Sequence, residues 1–319
     1  MMDLVGMGAP CMDMLARISG IPEANGGASL LEYSLQGGGN ASTAIVAAAR
    51  LGKAHGSRVG MIAALGDCEH GRYCVEDFRR HGVDTSRIRL EEGKSTSFCI
   101  VLSDVKEKGR SFLYKPGDMT GLTLDEGDLA YLRDARYMLV ETSGCLYPEG
   151  PKAVKEAGGK VVIDADGHNE AVSSVLPYVD VFIGSEFYKK RRFGDAGGRE
   201  CCEAIIAGGA EVAVFTLGAK GCIGMYEGGY FEAPTYDVEV KDTTGCGDVF
   251  HGAFVHGLIR GWDVPFIARF ANAVASIKCT RLGGRAGIPD EATAMRFMET
   301  GVIDYAEIDE RVEFYRRVR

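Results

Sequence analysis

No segment of this 319-residue chain approaches the ~18 consecutive apolar residues of a membrane-spanning helix, so no span is expected. The N-terminus, Met1-Met2-Asp3-Leu4-Val5-Gly6, lacks a basic stretch followed by an apolar core, and no secretory signal is expected. The ten cysteines include no C-x-x-C pair and no Cys/His cluster at zinc-ligand spacing. Cys201 and Cys202 are adjacent, a poor arrangement for sharing one metal. Reduced thiols and a cytoplasmic location are the expectation. Like charges are not blocked together except at Lys189-Lys190-Arg191-Arg192, which reads as a solvated helix end. With a net charge of −9, no nucleic-acid partner is expected. Repeats, low-complexity segments and long linkers are missing too. What is present is an ordinary globular balance, 46% hydrophobic and 25% charged, long enough to bury a substantial core.

Short apolar segments alternate with helix-compatible ones. Strands are expected at 4–7 and 58–64, and helices at 44–51 and 71–81. From residue 137 the rhythm is regular, with strands at 137–141, 160–164, 179–183 and 211–216 and helices at 148–157, 169–176, 185–192 and 198–207. Fully apolar runs such as Val161-Val162-Ile163 argue for a parallel sheet covered on both faces. Segments 12–18 and 30–35, with a hairpin of 97–103 and 111–115, fall outside this rhythm and are expected to form a small separate sheet. A second hairpin, 221–226 with 230–233, precedes a β-like run at 231–240. Helices at 249–260, 263–278 and 290–298 and a charged tail from Asp304 complete the chain.

Open α/β sheets bind ligands past the carboxyl ends of their strands. Asp13, Glu141, Asp164, Thr216 and Asp242 all fall at or just past such ends. Gly6-x-Gly8 is not a dinucleotide fingerprint, because Cys11 stands where the third glycine belongs and Pro10 interrupts the helix. Two glycine turns are better candidates. Gln36-Gly37-Gly38-Gly39-Asn40 leads into an Ala-rich helix that stops at Gly52. Asp242-Thr243-Thr244-Gly245-Cys246-Gly247-Asp248 leads into another, and its backbone N–H groups at a helix N-terminus make an anion site. Asp248 is either a plain N-cap or a base that takes a proton from a hydroxyl attacking a bound phosphate.

Gln36 to Thr43 resembles the N-terminal signature of the ribokinase-like (PfkB) carbohydrate kinases, and Asp242 to Asp248 with Phe250-His251-Gly252-Ala253-Phe254 resembles their C-terminal signature. Thr216-Leu217-Gly218-Ala219-Lys220-Gly221 and Phe270-Ala271-Asn272-Ala273-Val274-Ala275 are similar to the family's nucleotide-side segments. The resemblance implies one three-layer αβα ribokinase-like domain over 1–319, with a mainly parallel central sheet and a small β-sheet lid. It implies transfer of the γ-phosphate of ATP to a hydroxyl of a fructose-, ribose- or keto-sugar-like acceptor, with Mg²⁺. Carried over, Asp248 is the general base and Gly245, Cys246, Gly247 and Asp248 form the anion hole. Asp13, Gly38, Gly39, Asn40, Thr43 and Glu141 face the acceptor. Thr216, Gly218, Gly221, Asn272 and Gly284 line the nucleotide. Asp242 and Thr244 belong to a monovalent-cation (K⁺) loop, with Lys278 and Gly283 on the matching return segment.

Three positions depart from the family pattern. Thr43 stands where many members have Asn. Ser185-Glu186-Phe187-Tyr188 stands where they have N-x-x-E, so Glu186 is the acid left to serve magnesium. Cys246 replaces a small Ala or Gly. A homodimer through the lid is expected. A nucleoside kinase of the same superfamily and a non-catalytic nucleotide or sugar sensor are the alternatives, the sensor disfavoured by the intact Asp248.

Overall fold

A computed structural model of the chain describes residues 1–106, 109–142, 148–167 and 170–317. Along the chain run β1 (Met2–Met7), β2 (Cys11–Ile18), β3 (Leu30–Gly38), α1 (Asn40–Gly52), β4 (Val59–Gly66), α2 (Glu69–Arg80), β5 (Asp84–Glu91), β6 (Phe98–Asp104) and β7 (Arg110–Lys115). There follow α3 (Glu126–Arg133), β8 (Ala135–Glu141), α4 (Glu149–Glu156), β9 (Lys160–Ala165), α5 (Glu170–Val175), β10 (Val181–Ser185), α6 (Glu186–Phe193), α7 (Gly198–Ala207) and β11 (Val212–Thr216). The last elements are β12 (Cys222–Tyr226), β13 (Gly229–Ala233), α8 (Cys246–Arg260), α9 (Val264–Cys279), α10 (Glu291–Thr300) and α11 (Ala306–Arg317).

The large sheet has the order β13-β12-β11-β10-β9-β8-β1-β4-β5. Strands β11 through β5 in that order pair in parallel, and the β12–β13 hairpin adds an antiparallel edge. The apolar strands bury both faces, as period-2 alternation requires. Val162, Ile183 and Val214 point into a core shared with α1, α8 and α9. Val161, Ile163, Phe182 and Phe215 point into a second core with Val154 of α4 and Cys201 of α7. Helices on both faces therefore make three layers, as expected. Among the described residues no helix is long and apolar enough to cross a membrane.

The small sheet has the order β3-β2-β6-β7, with β2 antiparallel to β3 and parallel to β6, and β6 antiparallel to β7. It comprises the four segments expected for it. Met12, Leu35 and Phe98 on this sheet pack with Cys74 and Val75 of α2, and β7 is exposed along its whole length.

Two expectations need correction. Strand β5 was not anticipated, because only Ile88 and Leu90 in it are aliphatic and it forms the edge of the sheet. The β-like run at 231–240 ends at Ala233: Pro234 follows and no neighbouring strand pairs with 234–240. The charged tail is helical as expected, forming α11. The first residue of the helix expected at 169–176 and residues 107–108 of the expected hairpin turn lie outside the described residues.

Candidate active site

The parallel strands finish along one edge of the large sheet, and the turn at 242–248 crosses it. Asp242 Oδ1 accepts from the N–H of Thr244 at 3.0 Å and from its hydroxyl at 2.8 Å, the side-chain-to-backbone pattern that makes Asp a turn former. Asp242 Oδ2 accepts from Gly283 N–H at 2.7 Å, which ties the turn to the return segment. Cys246 N–H donates to Thr243 O at 3.3 Å. Gly245, with φ 75° and ψ 8°, takes the third place of this type II turn. A side chain there would be strained by about 1–2 kcal/mol, and its Cβ would lie 2.8 Å from Gly284 Cα.

Helix α8 therefore starts at Cys246 with no side-chain cap. Asp248 sits two residues inside it and is not the N-cap, so the capping alternative falls. The N–H groups of Gly247 and Asp248 have no acceptor among the described residues. A Cβ on Gly247 would meet only open space. Unpaired donors at a helix N-terminus facing free volume suit an anion. Cys246 is the correction here: its N–H, expected among the anion donors, closes the turn instead.

Carboxylates gather beside this turn. Burial first, and Asp164 next, push the Asp248 carboxyl well above its ordinary value, with His251 opposing. His251, one helical turn on, places Nδ1 2.7 Å from Gly247 O, and Nε2 3.3 Å from Ile183 O and 3.4 Å from Asp164 Oδ1. It thus links α8 to the ends of β9 and β10. Asp164 is buried, its Oδ2 has no partner among the described residues, and burial with Asp166 and Glu141 nearby drives its pKa well up. Glu141 pairs in register with Asp164. It accepts from Ala9 N–H at 2.8 Å and Ala41 N–H at 2.7 Å, binding the end of α1 to the loop after β1. Burial lifts it to about 7 against those two donors.

The glycine turn before α1 faces the same region. Asp13 on β2 is buried enough to be raised to about 6. A Cβ on Gly38 would collide with its carboxylate, so only glycine lets β3 pass this closely. Gly39 is the N-cap of α1, and Asn40 Nδ2 donates to Asp166 Oδ2 at 3.3 Å. Thr43 is buried and lies against Gly284. Behind the turn, Arg285 donates to Asp77 Oδ2 at 2.6 Å and Gly38 O at 3.2 Å. The Gln36 amide oxygen accepts from the N–H groups of Arg285 and Ala286.

Thr216 ends β11, and Gly218 and Gly221 bound the tight turn that follows. Asn272 on α9 is buried and uses its amide to hold Ala233 O at 2.9 Å and Pro234 O at 3.3 Å. Its side chain secures the chain leaving β13. A cleft of about 810 Å³ adjoins this turn, with Glu186, Lys189, Leu217, Lys220 and Pro234 on its walls. Asp248, Asp13 and Gly245 are not among its lining residues.

Lys278 is buried on α9. Its ammonium donates to Asp242 O at 3.0 Å and to Thr244 O, and lies 3.8 Å from Cys246 Sγ. Cys246 Sγ is 2.8 Å from Cys279 Sγ. The hydrogen bond between the two sulfurs sets them apart: with burial it holds Cys246 well above its ordinary range, and it brings Cys279 down to about 7.

Of the residues singled out in the sequence, Glu141, Asp164, Asp242, Gly284 and Thr43 gather around Gly245 and Asp248 at the start of α8, while the Thr216–Gly221 turn borders the separate cleft. Asp166, His251 and Cys279 were not singled out. Asp166 had a signal in its D-x-D spacing past a strand, and His251 in its i, i+3 spacing from Asp248 on a helix.

A profile described as pfkB family carbohydrate kinase matches residues 5–291. A 5-dehydro-2-deoxygluconokinase from Shouchella clausii (strain KSM-K16) is 29% identical over 312 residues, spanning 90% of this chain and 92% of that protein. The structure of Arabidopsis thaliana ribokinase complexed with ribose and ATP superposes with a TM-score of 0.81 at 22% identity, covering 94% of this chain and 99% of the other. A structure from E. coli in complex with ATP and Mg²⁺ gives 0.81 at 20% identity, with 94% and 99% covered. At those identities the two structural matches establish the shared fold.

Proposed function

The chain belongs to the pfkB family of carbohydrate kinases, and from that premise we propose that it moves the γ-phosphate of ATP to a hydroxyl of a small neutral sugar of ribose, fructose or keto-sugar type. The observation that carries this reading is Asp248 in the first turn of an uncapped helix, beside N–H groups that face open space. Phosphoryl transfer asks for positioning and charge neutralisation more than covalent chemistry. The Gly247 and Asp248 N–H groups receive the phosphate. Asp248, whose raised pKa makes it a willing proton acceptor, takes the acceptor's hydroxyl proton as the new P–O bond forms. Asp13, Asn40 and the Gly38-Gly39 backbone hold the other hydroxyls. The Thr216–Gly221 turn and Gly284 border the nucleotide, with Asn272 shaping its far wall.

Mg²⁺ fits this site. Among the described residues no three His, Cys, Asp or Glu side chains converge on one point, which suits a cation held mostly by nucleotide phosphates and waters with one or two carboxylates. Asp164, its Oδ2 unpartnered beside Asp248, would hold it, with Glu186 on the wall of the neighbouring cleft the second candidate. Bound there, it would neutralise charge on the phosphate oxygens.

A neutral acceptor follows from electrostatics. Asp13, Glu141, Asp164 and Asp166 line the region. Apart from Arg285 acting on Asp13, no lysine or arginine is among the groups that shift Asp13, Glu141 and Asp164 among the described residues. An acceptor carboxylate placed there is repelled. A panel measuring ADP release with ribose, fructose and the sugar acid 5-dehydro-2-deoxygluconate tests this. Turnover of the neutral sugars is expected. Faster turnover of the sugar acid refutes the choice of acceptor, and ATP binding without turnover on any sugar or nucleoside revives the sensor.

The small sheet acts as the lid that excludes water. Its exposed edge carries Phe112, Leu113 and Tyr114, which supports a homodimer paired along β7. Light scattering on Phe112→Lys is expected to report monomers. A wild-type monomer removes that pairing.

A further inference from the structure

The loop at 242–246 turns two backbone carbonyls inward, those of Asp242 and Thr244. Inward carbonyls need a cation or strong donors, because a buried unpaired acceptor costs free energy. The family resemblance places a potassium ion at this loop. The side chains present do not fit one. Lys278 Nζ already stands between the carbonyls, 3.0 Å from Asp242 O and bonded to Thr244 O, with its residue fully buried. A potassium ion on the same two oxygens would sit against an ammonium in a site closed to water, where like charges repel with little screening.

We propose that the Lys278 ammonium is the resident cation of this loop, so that the kinase works without a monovalent metal ion. The proposal rests on reading the turn at 245–248 as the phosphate-receiving element. An ammonium brings three donors and one positive charge on a covalent tether. Its charge is balanced by Asp242, whose two carboxylate oxygens are engaged by Thr244 and Gly283, so the carboxylate stays ionised without touching the ammonium. The Asp242 carboxyl, which burial alone would raise, is held below its ordinary value by Lys278 and these donors. The same cation fixes the Thr244 carbonyl one residue ahead of Gly245 and lies 3.8 Å from Cys246 Sγ, at the first residue of α8. The lysine thus sets the backbone from which the Gly247 and Asp248 N–H groups project. Because the cation is tethered, the loop is organised at any potassium concentration.

The test compares wild type, Lys278→Met and Lys278→Ala in buffers of equal ionic strength whose monovalent cation is tetramethylammonium, potassium or ammonium. ADP release and the thermal midpoint are both read. Wild type should vary by less than about twofold in rate among the three buffers, the residue of non-specific salt effects, and its midpoint should not move. Lys278→Met should lose about tenfold or more in rate, as expected when a preorganised charge behind an oxyanion site is removed. Lys278→Ala, which leaves a hole of ammonium size, should regain midpoint and part of its rate in ammonium or potassium. Activation of wild type by potassium beyond about tenfold, a potassium-dependent rise of its midpoint, or a Lys278→Met enzyme equal to wild type in tetramethylammonium each overturns the proposal. If neither variant folds, the wild-type comparison decides. If no acceptor in the panel is phosphorylated, the acceptor reading fails while the thermal midpoints still decide the question of the cation.

Discussion

Replacing Arg285 by methionine removes a guanidinium that is 1% exposed and touches three parts of the fold. It pairs with Asp77 Oδ2 of α2 at 2.6 Å, donates to Gly38 O of the small sheet at 3.2 Å, and lies 5.0 Å from the Phe78 ring centre. Asp77 also accepts from the Tyr315 hydroxyl at 2.7 Å, and that hydroxyl is 2.7 Å from His81 Nε2. Removing one partner of a buried ion pair costs about 3–5 kcal/mol. Because Tyr315 still donates to Asp77, the lower end applies, about 3 kcal/mol. For 319 residues that lowers the melting midpoint by about 4–5 °C. The loss also has a pH signature. Burial alone would raise the Asp77 carboxyl, but Arg285, with His81 and Tyr315, holds it below its ordinary value. In wild type its contribution is therefore present above the unfolded value of about 3.9 and lost as pH falls through the folded value. In the variant burial outweighs the remaining Tyr315 and His81 contributions, the folded value rises, and the contribution is full below about 3.9 and lost as pH rises through the new value. Calorimetric melts of both proteins from pH 4 to 8 should show a gap that widens toward neutrality. A gap under about 1 °C at pH 7, or one widest at pH 4, refutes the reasoning.

Other outcomes are accessible by substitution. Asp248→Asn should fold normally and bind ATP, yet lose about 10²-fold or more in kcat; wild-type turnover would remove Asp248 as the base. Gly245→Ala combines a left-handed φ with a Cβ 2.8 Å from Gly284 Cα, so it should lose about 1–3 kcal/mol of stability as well as activity, and an unchanged midpoint would count against the turn geometry. Glu141, raised by burial to about 7, contributes stability that is full below the unfolded value of about 4.3 and is lost as pH rises through 7. Relative to Glu141→Gln, which cannot titrate, wild type should lose midpoint across that window, and parallel pH profiles would refute the assignment. The Cys246 thiol brings Cys279 down to about 7, so iodoacetamide should label Cys279 first with a midpoint near that pH, and Cys246→Ala should move it toward about 8.5. A midpoint indifferent to the substitution would break the link between the two sulfurs.

Much of the site could be read from the sequence because its chemistry is local. Gly245, Gly247 and Asp248 lie within four residues, and their spacing alone marks a turn entering a helix. The β–α rhythm was legible for the same reason, since Val161-Val162-Ile163 and its neighbours carry the period of buried strands. Strand β5 escaped because an edge strand need not be apolar. Helix α3 escaped although Asp125 and Asp128 form a reciprocal capping box at its start, a signal present in the sequence and not used. What local pattern cannot supply is the partner across the chain. Lys278 reaches Asp242 across 36 positions and Arg285 reaches Gly38 across 247. Both are cations whose sequence neighbours say nothing of a buried site, and only the fold brings their partners to them. The same holds for Asn272, expected on the nucleotide side from the resemblance and found holding Ala233 and Pro234.

The polar fastening of the small sheet is concentrated on β3, while Met12, Leu15, Phe98, Cys99 and Val101 make apolar contacts beneath β2 and β6. Strand β3 is bolted along its length: Glu32 to Lys241 at 2.8 Å and to Arg316, Leu35 O to the Tyr73 hydroxyl at 2.6 Å, Gln36 to the 282–286 turn, and Gly38 to Arg285. Strand β7, at the opposite edge, is exposed at every residue. The sheet is built like a door hung on β3, with its handle three strands away, about 14 Å from the hinge line. Turning it by about 20° would carry Arg110 and Lys115 through about 5 Å and Asp13 on β2 through about 2 Å, while Gly38 on β3 stays in place. On the proposed function, such a door would close by swinging about the strand that carries Gly38. A second copy paired along β7 would grip the handle, so assembly and closure would share one edge.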